Sequence, residues 1–346
     1  MQKKLLTVAV ASALAMPAVA LAQVTVFGTM DGGLRNQTKA LTATGDDSVM
    51  TATDGLRTTN RWGLRGSEDL GGGLMANFWL EGQYASDSGG GPGSAAGVGN
   101  QGIFQRKSVV GLSKGGNSVD IGRDYTVNFK AQGIYDPMSY TYTGITPTAG
   151  TNVAGTRSSN MVTAGFRFGT GGVRVDYALG EVVGESWGTR LGFNADFAFG
   201  PVTIAGAYST LDDAATGTLS TDVMNIGAVY RMGAFTFRAG WSNTNAETGP
   251  GTDTDTPMFV LGAQYAISPT LNGRVGYYDT KFETNGSETG SRKVTIVALD
   301  YILSKRTTAY FAFDRTAIDG TAPTGVLGVA SADGATGLSA GIAHSF

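Results

Sequence analysis

Arg190-Leu-Gly-Phe-Asn-Ala-Asp-Phe-Ala-Phe199 is the stretch on which the fold turns. Leu191, Phe193, Ala195, Phe197 and Phe199 fall on one phase of a two-residue period, and Arg190, Asn194 and Asp196 on the other. Side chains of a β-strand point alternately to opposite faces, so this pattern fits a strand between an apolar and a polar environment. A helix would scatter the same residues round its circumference. The pattern repeats on either side. Val173, Val175, Tyr177 and Leu179 oppose Arg174 and Asp176, while Phe235, Phe237, Ala239 and Trp241 oppose Thr236 and Arg238. It continues to Phe346, which shares a phase with Leu338, Ala340, Ile342 and His344. Soluble chains mostly end in loose polar residues, so an aromatic terminus in register with an apolar face points to a strand held in a sheet.

Composition narrows the class. Lys3 and Lys4, the apolar run Leu5 to Val19 and the small-x-small site Ala20-Leu21-Ala22 read as an export signal over residues 1–22, with Gln23 as the mature start. The alternative is a retained anchor. Loss of the two lysines leaves 23 basic against 28 acidic residues, a formal charge of −5, which argues against a nucleic-acid partner. The absence of cysteine excludes disulfides, thiolate metal sites and a cysteine nucleophile. Only 41% of residues are hydrophobic and 53 are glycine. Beyond the signal no apolar run approaches the ~20 residues of a transmembrane helix, so the apolar residues suit an outward surface covered at every second position.

Sixteen extended segments are expected: 24–35, 57–67, 73–86, 102–113, 117–123, 157–169, 171–180, 188–199, 201–211, 221–231, 234–245, 256–267, 270–282, 291–302, 306–318 and 336–346. Their connections alternate in length. Short turns such as Lys114-Gly115-Gly116, Gly200-Pro201 and Met232-Gly233 interleave with long polar stretches at 36–56, 87–101, 124–156, 212–220, 246–255, 283–290 and 319–335. Short turns at one end and long loops at the other describe an all-β transmembrane antiparallel barrel with periplasmic turns and external loops. Tyr177, Phe199, Tyr208, Tyr230, Trp241, Tyr265, Tyr301 and Phe346 fall near the ends of outward faces, as interfacial girdles do.

At Arg61-Trp-Gly-Leu-Arg-Gly-Ser-Glu-Asp-Leu-Gly-Gly-Gly-Leu74 the chain resembles the general diffusion porins of Gram-negative bacteria. The resemblance extends through Val24-Thr-Val-Phe-Gly28, Arg106, Val110-Gly-Leu-Ser113, Ile121-Gly-Arg-Asp-Tyr125, Arg157-Ser-Ser-Asn160 and the closing Phe346. It implies a sixteen-stranded barrel in the outer membrane, a homotrimer whose third loop folds into the pore. Segment 124–156 follows the fifth strand, where that inward constriction loop departs in the family. Asp136 takes the place of the family's constriction acid, and Tyr140 stands where a second acid is usual. Phe346 corresponds to the tag by which barrel assembly machinery recognises such chains.

Strand phase assigns the lumen. Val24, Val26, Gly28 and Met30 are expected to face lipid, leaving Thr29, Asp31 and Arg35 inward. Arg61 and Arg65 share a face and, with Arg106, resemble the family's basic ladder opposite Asp136. Their alternative is a solvated wall role or pairing with Glu68 and Asp69. Arg157 is read as lumen-facing. Arg167, Arg174, Arg190, Arg238 and Arg274 are expected to face wide vestibules, and Glu81 to line the lumen with Asn77. His344, the one histidine, lies on the apolar phase, a poor place for a Ser-His-Asp triad. Asp253-Thr-Asp255 lacks the rest of an EF-hand loop, and no cofactor or metal is expected.

The expected function is passive diffusion of ions and small hydrophilic solutes, with a modest anion preference. A substrate-specific channel would need an aromatic track or binding cluster in the lumen, which the sequence does not display clearly. A structural or adhesive barrel would have a closed lumen.

Overall fold

The computed structural model describes residues 23–42, 45–90, 102–147, 155–212, 218–322, 325–326, 329–330 and 333–346. The expected signal, 1–22, lies outside the described residues, as do 148–154 of the third loop. The elements run β1 (Gln23–Thr42), β2 (Gly45–Asp54), β3 (Arg61–Gly71), β4 (Leu74–Gln83), β5 (Lys107–Lys114), β6 (Asn117–Tyr125), α1 (Val127–Tyr135), β7 (Arg157–Phe168), β8 (Gly171–Ala178), β9 (Arg190–Phe199) and β10 (Val202–Asp212). They continue with β11 (Ser220–Met232), β12 (Phe235–Gly249), β13 (Thr252–Asp255), β14 (Met258–Ser268), β15 (Leu271–Thr284), β16 (Ser287–Ile302), β17 (Thr307–Gly320), β18 (Gly325–Val326), β19 (Val329–Ala330) and β20 (Gly334–Ser345).

Antiparallel neighbours connect β1 to β3, each later long strand to the next, β17 to β20 and β20 back to β1, closing a ring of sixteen strands. Short β13 extends the β12 hairpin, and β18 pairs with β19. Closure abolishes the sheet edges, which no strand could leave unpaired in hydrocarbon. The seam pairs Thr29 with Ser345 through Gln37 with Gly337. It is completed by Gly28 N–H to Phe346 O (3.1 Å) and Phe346 N–H to Gly28 O (3.0 Å).

Alternation sets the two faces, and burial is inverted relative to a soluble domain. Val26, Leu34, Val110, Phe193, Ile226 and Phe313 are exposed on the outward face, whereas Asp31, Arg35, Asp176, Arg190 and Asp314 are buried inside. Tight turns use residues that tolerate positive φ: Gly115 (60°) and Gly116 (86°) join β5 to β6, a conformation glycine adopts without a Cβ penalty.

The sixteen expected strands correspond to the sixteen observed, with three differences. The hairpins β1–β2, β12–β13 and β15–β16 carry pairing into 36–56, 246–255 and 283–290, read above as loops. Outside the hydrocarbon both faces are wet, so the ladder persists where the apolar alternation stops. The fourth segment begins at Lys107, not 102. The second strand is broken: β1 pairs with β2 over Gly32–Thr42 and with β3 over Gln23–Thr29, and residues 55–60 leave the wall between them.

Candidate functional site

The lumen is shaped by the connection after β6. Thr126 caps α1, its side chain accepting from Phe129 N–H (3.3 Å); capping of this kind satisfies a first-turn donor. The helix lies inside the barrel against β8–β12. Asp176 on β8 accepts from Val127 N–H (2.8 Å), Arg190 donates to Asn128 Oδ1 (2.7 Å), and the Asn128 amide donates to Val223 O (3.0 Å). Glycines on the inward phase supply the seats. A Cβ at Gly192 would strike Val127, at Gly227 or Gly240 the ring of Tyr135, at Gly262 Pro137, and at Gly276 Met138. The fully buried Tyr135 therefore lies flat on bare backbone.

The far end of the loop meets the break in the second strand. Tyr142 N–H donates to Arg57 O (2.6 Å) and Gly144 N–H to Leu56 O (3.2 Å). Asp300 on β16 gathers Arg57 (2.8 Å), Arg274 (3.0 Å) and the Tyr142 hydroxyl (2.8 Å). The loop thus spans the lumen from the β8–β12 wall to the β1–β17 side.

Among the described residues two cavities beside it, of about 490 and 460 Å³, both have Tyr125 in their lining. The first carries Thr29, Arg61, Arg65, Lys107 and Glu81; the second carries Lys130, Arg167, Arg174 and Asp196 with Phe129, Ile134 and Tyr140. Each cavity presents three bases to one acid. The acids are engaged: Glu81 holds Arg106 at 2.7 Å, and Asp196 holds Arg167 at 2.8 Å and Arg174 at 3.7 Å, while Lys107 and Lys130 share Asp124 at 3.1 and 2.9 Å.

The residues singled out from sequence fall into different roles. Among the described residues Arg61 has only Thr58 Oγ1 at 3.4 Å as a hydrogen-bond partner, and Arg65 lies 5.1 Å from the ring centroids of both Phe27 and Trp79. Among the described residues neither has a carboxylate within ion-pair distance, so the suggested pairing with Glu68 or Asp69 does not occur. Arg157 stacks on Tyr125 at 4.3 Å and donates to its hydroxyl at 2.8 Å. Arg106 is buried against Glu81 and Tyr125, which corrects its reading as a free basic rung: the carboxylate cancels its charge. Thr29 faces Ser345 at 3.2 Å.

Asp31 is fully buried and accepts from Arg57 N–H (2.8 Å), Thr58 N–H (2.7 Å) and the Tyr310 hydroxyl (2.8 Å), so it holds the strand break. Asp136 is likewise fully buried, taking Tyr278 O–H (3.0 Å) and Tyr140 N–H (2.8 Å). The expectation that it offers a pore-facing charge is therefore corrected: it caps α1 and fixes the turn after it. Arg190, expected in a vestibule, is 1% exposed and anchors α1 beside Asp176. Arg274 is drawn into the Asp300 cluster rather than left in open water.

Sequence reasoning missed the glycine seats, the inward break and one further feature. Tyr125, Phe129 and Tyr140 stack at centroid distances of 4.8 and 4.2 Å. With Arg157 they form a continuous ladder in the lumen, the kind of track the sequence does not reveal. Tyr125 and Phe129 stand four residues apart, but Tyr140 joins them only because Asp136 turns the chain back.

A family model described as Gram-negative porin matches residues 7–321. The chain is 32% identical to outer membrane porin protein 32 of Delftia acidovorans, over the full length of both chains. Among solved structures, an anion-selective porin from Comamonas acidovorans superposes with a TM-score of 0.79 at 27% identity, covering 94% of this chain and all of that one. OmpT of Vibrio cholerae shares the fold at TM-score 0.70 and 13% identity, covering 96% of this chain and 99% of its own.

Proposed function

Because the chain belongs to the Gram-negative porin family and is an outer-membrane channel for passive diffusion, we propose that loop 124–156 forms its constriction and that the lumen there favours anions. The observation that carries this is the charge balance around Tyr125. Arg61, Arg65 and Arg157 have no carboxylate partner among the described residues, while the acids lining both cavities are ion-paired. Guanidinium stays protonated at any working pH, so the basic excess is permanent. Anions then pass by residing briefly in the field of fixed cations, a weak multi-site interaction that permits both entry and exit. The overall acidity of the chain does not oppose this, because local field lines in a narrow low-dielectric gap outweigh net charge.

Planar-bilayer reversal potentials under a chloride gradient test the reading. The wild type should prefer anions, and Arg61→Gln with Arg65→Gln should lower the anion-to-cation permeability ratio by roughly three-fold or more. A cation-preferring wild type, or a double variant with unchanged ratio, removes these arginines from selectivity.

The same reading includes export through residues 1–22, a homotrimer, contact with outer-membrane lipid, and recognition of Phe346 by assembly machinery. What supports the last is its placement: the ring is half-exposed on the outward face and stacks over Gly28, whose missing Cβ makes room for it. Deleting Phe346 removes one backbone pair and one ring, too little to unfold sixteen strands. The expected outcome is low outer-membrane yield with normal conductance from the channels that insert; normal yield would end this role for the residue. His344 lies on the outward face with Thr307 Oγ1 at 2.9 Å, away from the lumen.

A further inference from the structure

We propose that Tyr125 and the ring edges beside it form a binding subsite for aromatic monocarboxylates, which makes this channel more than a charge filter. The inference rests on the anion-channel reading above and deepens it by naming a solute class.

A phenolic hydroxyl has two lone pairs and one proton. Arg106 Nη2 donates to the Tyr125 oxygen at 2.7 Å and Arg157 Nη2 at 2.8 Å, so both lone pairs are used. The proton has no acceptor among the described residues. Two charge-assisted bonds into the oxygen polarise it and strengthen its O–H as a donor. The hydroxyl stands where the two cavities share a lining residue, with the carboxylate-free Arg61 on one side and, on either side, Lys107 and Lys130, two cations that share the single carboxylate of Asp124 at 3.1 and 2.9 Å. An acceptor arriving there is met by a directed proton inside a cationic field, which suits a carboxylate oxygen better than a spherical halide.

The apolar part of the ligand follows from the ladder. Arg157 covers one face of Tyr125 and Phe129 the other; Phe129 is in turn covered by Tyr140. Solute in the second cavity therefore meets ring edges, with Ile134 alongside. Aromatic edges are positively polarised and take the negative face of another ring in a T-shaped contact. A carboxylate attached to a flat aromatic body satisfies the hydroxyl and the edges together. A saturated body of equal size satisfies only the hydroxyl.

Bi-ionic reversal potentials in planar bilayers, with chloride on one side and benzoate or cyclohexanecarboxylate on the other, read the subsite. Wild type should show a higher benzoate-to-chloride permeability ratio than cyclohexanecarboxylate-to-chloride ratio, with benzoate current saturating. Tyr125→Phe keeps the ring stack and the Arg157 contact but removes the proton, and should lower the benzoate-to-chloride ratio by about five-fold, as expected for one hydrogen bond to a charged group. Discrete conductance steps in chloride show that the variant has folded. A ratio that is unchanged, or raised because two guanidinium groups are freed, overturns donation by the hydroxyl. Equal ratios for benzoate and cyclohexanecarboxylate in wild type overturn the aromatic assignment. A wild type that prefers cations in chloride gradients overturns the anion preference beneath it, an outcome distinct from the other two.

Discussion

A leucine at Gly240 is expected to cut single-channel conductance by roughly half, since the lumen cross-section at its narrowest controls passage. Gly240 and Gly227 form the bare floor on which the Tyr135 ring rests, and a Cβ at either would overlap that ring. Carbon atoms settle ~3.5–4 Å apart, so a leucine side chain must push Tyr135, and with it α1, toward the pore axis. The other anchors of the helix, at Asp176, Arg190 and Val223, keep it inside the barrel rather than releasing it outward. Tyr135→Ala alone should loosen the same seat, leaving a cavity of the kind that costs ~3–5 kcal/mol in a packed core. Combining it with Gly240→Leu lets the new side chain fill the space of the lost ring. Recovery of conductance in the double variant is the decisive reading, and a double variant as closed as Gly240→Leu would show that the ring-on-glycine contact does not set the position of the loop.

The second large effect concerns the seam. Arg35 on β1 and Asp314 on β17 reach each other across β20, with Arg35 Nη2 at 2.9 Å from Asp314 Oδ2 and Nη1 at 3.2 Å from Ser339 Oγ. Their side chains are 1% and 0% exposed. Gly337 on the intervening strand lies directly beneath the guanidinium, where any Cβ would collide. Asp314→Ala leaves a buried guanidinium without its carboxylate, a loss of about 3–5 kcal/mol. The variant should unfold at clearly lower urea concentration or temperature, followed by the mobility shift of the folded barrel on unheated gels. Arg35→Met with Asp314→Leu removes both charges and should recover most of the stability, because a buried ion pair is often no better than an apolar replacement of similar volume. Equal stability of wild type and Asp314→Ala would mean that water reaches the seam.

How much of this was legible follows from which constraint each residue obeys. Leu191, Phe193 and Phe197 answer to lipid alone, an environment identical for every strand, so their phase needs no knowledge of neighbours. The strand count and the alternation of turn lengths follow from that same uniform requirement. Inward residues answer to particular partners. Arg61 and Arg106 look alike in sequence, yet one is uncompensated and the other is cancelled by Glu81. Asp136 sits at the spacing of a constriction acid, but Tyr278, 142 residues away, meets its carboxylate and buries it. Gly227 and Gly240 read as ordinary strand glycines until Tyr135 is laid across them. The bases Arg61, Arg65 and Arg157 could be proposed from phase; their freedom from acids could not.

The sequence by itself therefore determined the barrel, its strand number and the lipid-facing set, because a two-residue period against a uniform apolar solvent leaves few alternatives; the inward course of 124–156 was implied only by the family resemblance. Only the tertiary structure decided which lumen charges are free, what holds the loop, and that Tyr125, Phe129 and Tyr140 form one ladder. Those are contacts between residues far apart in the chain, and ionic and hydrogen-bond energies depend on partner and distance rather than on residue type.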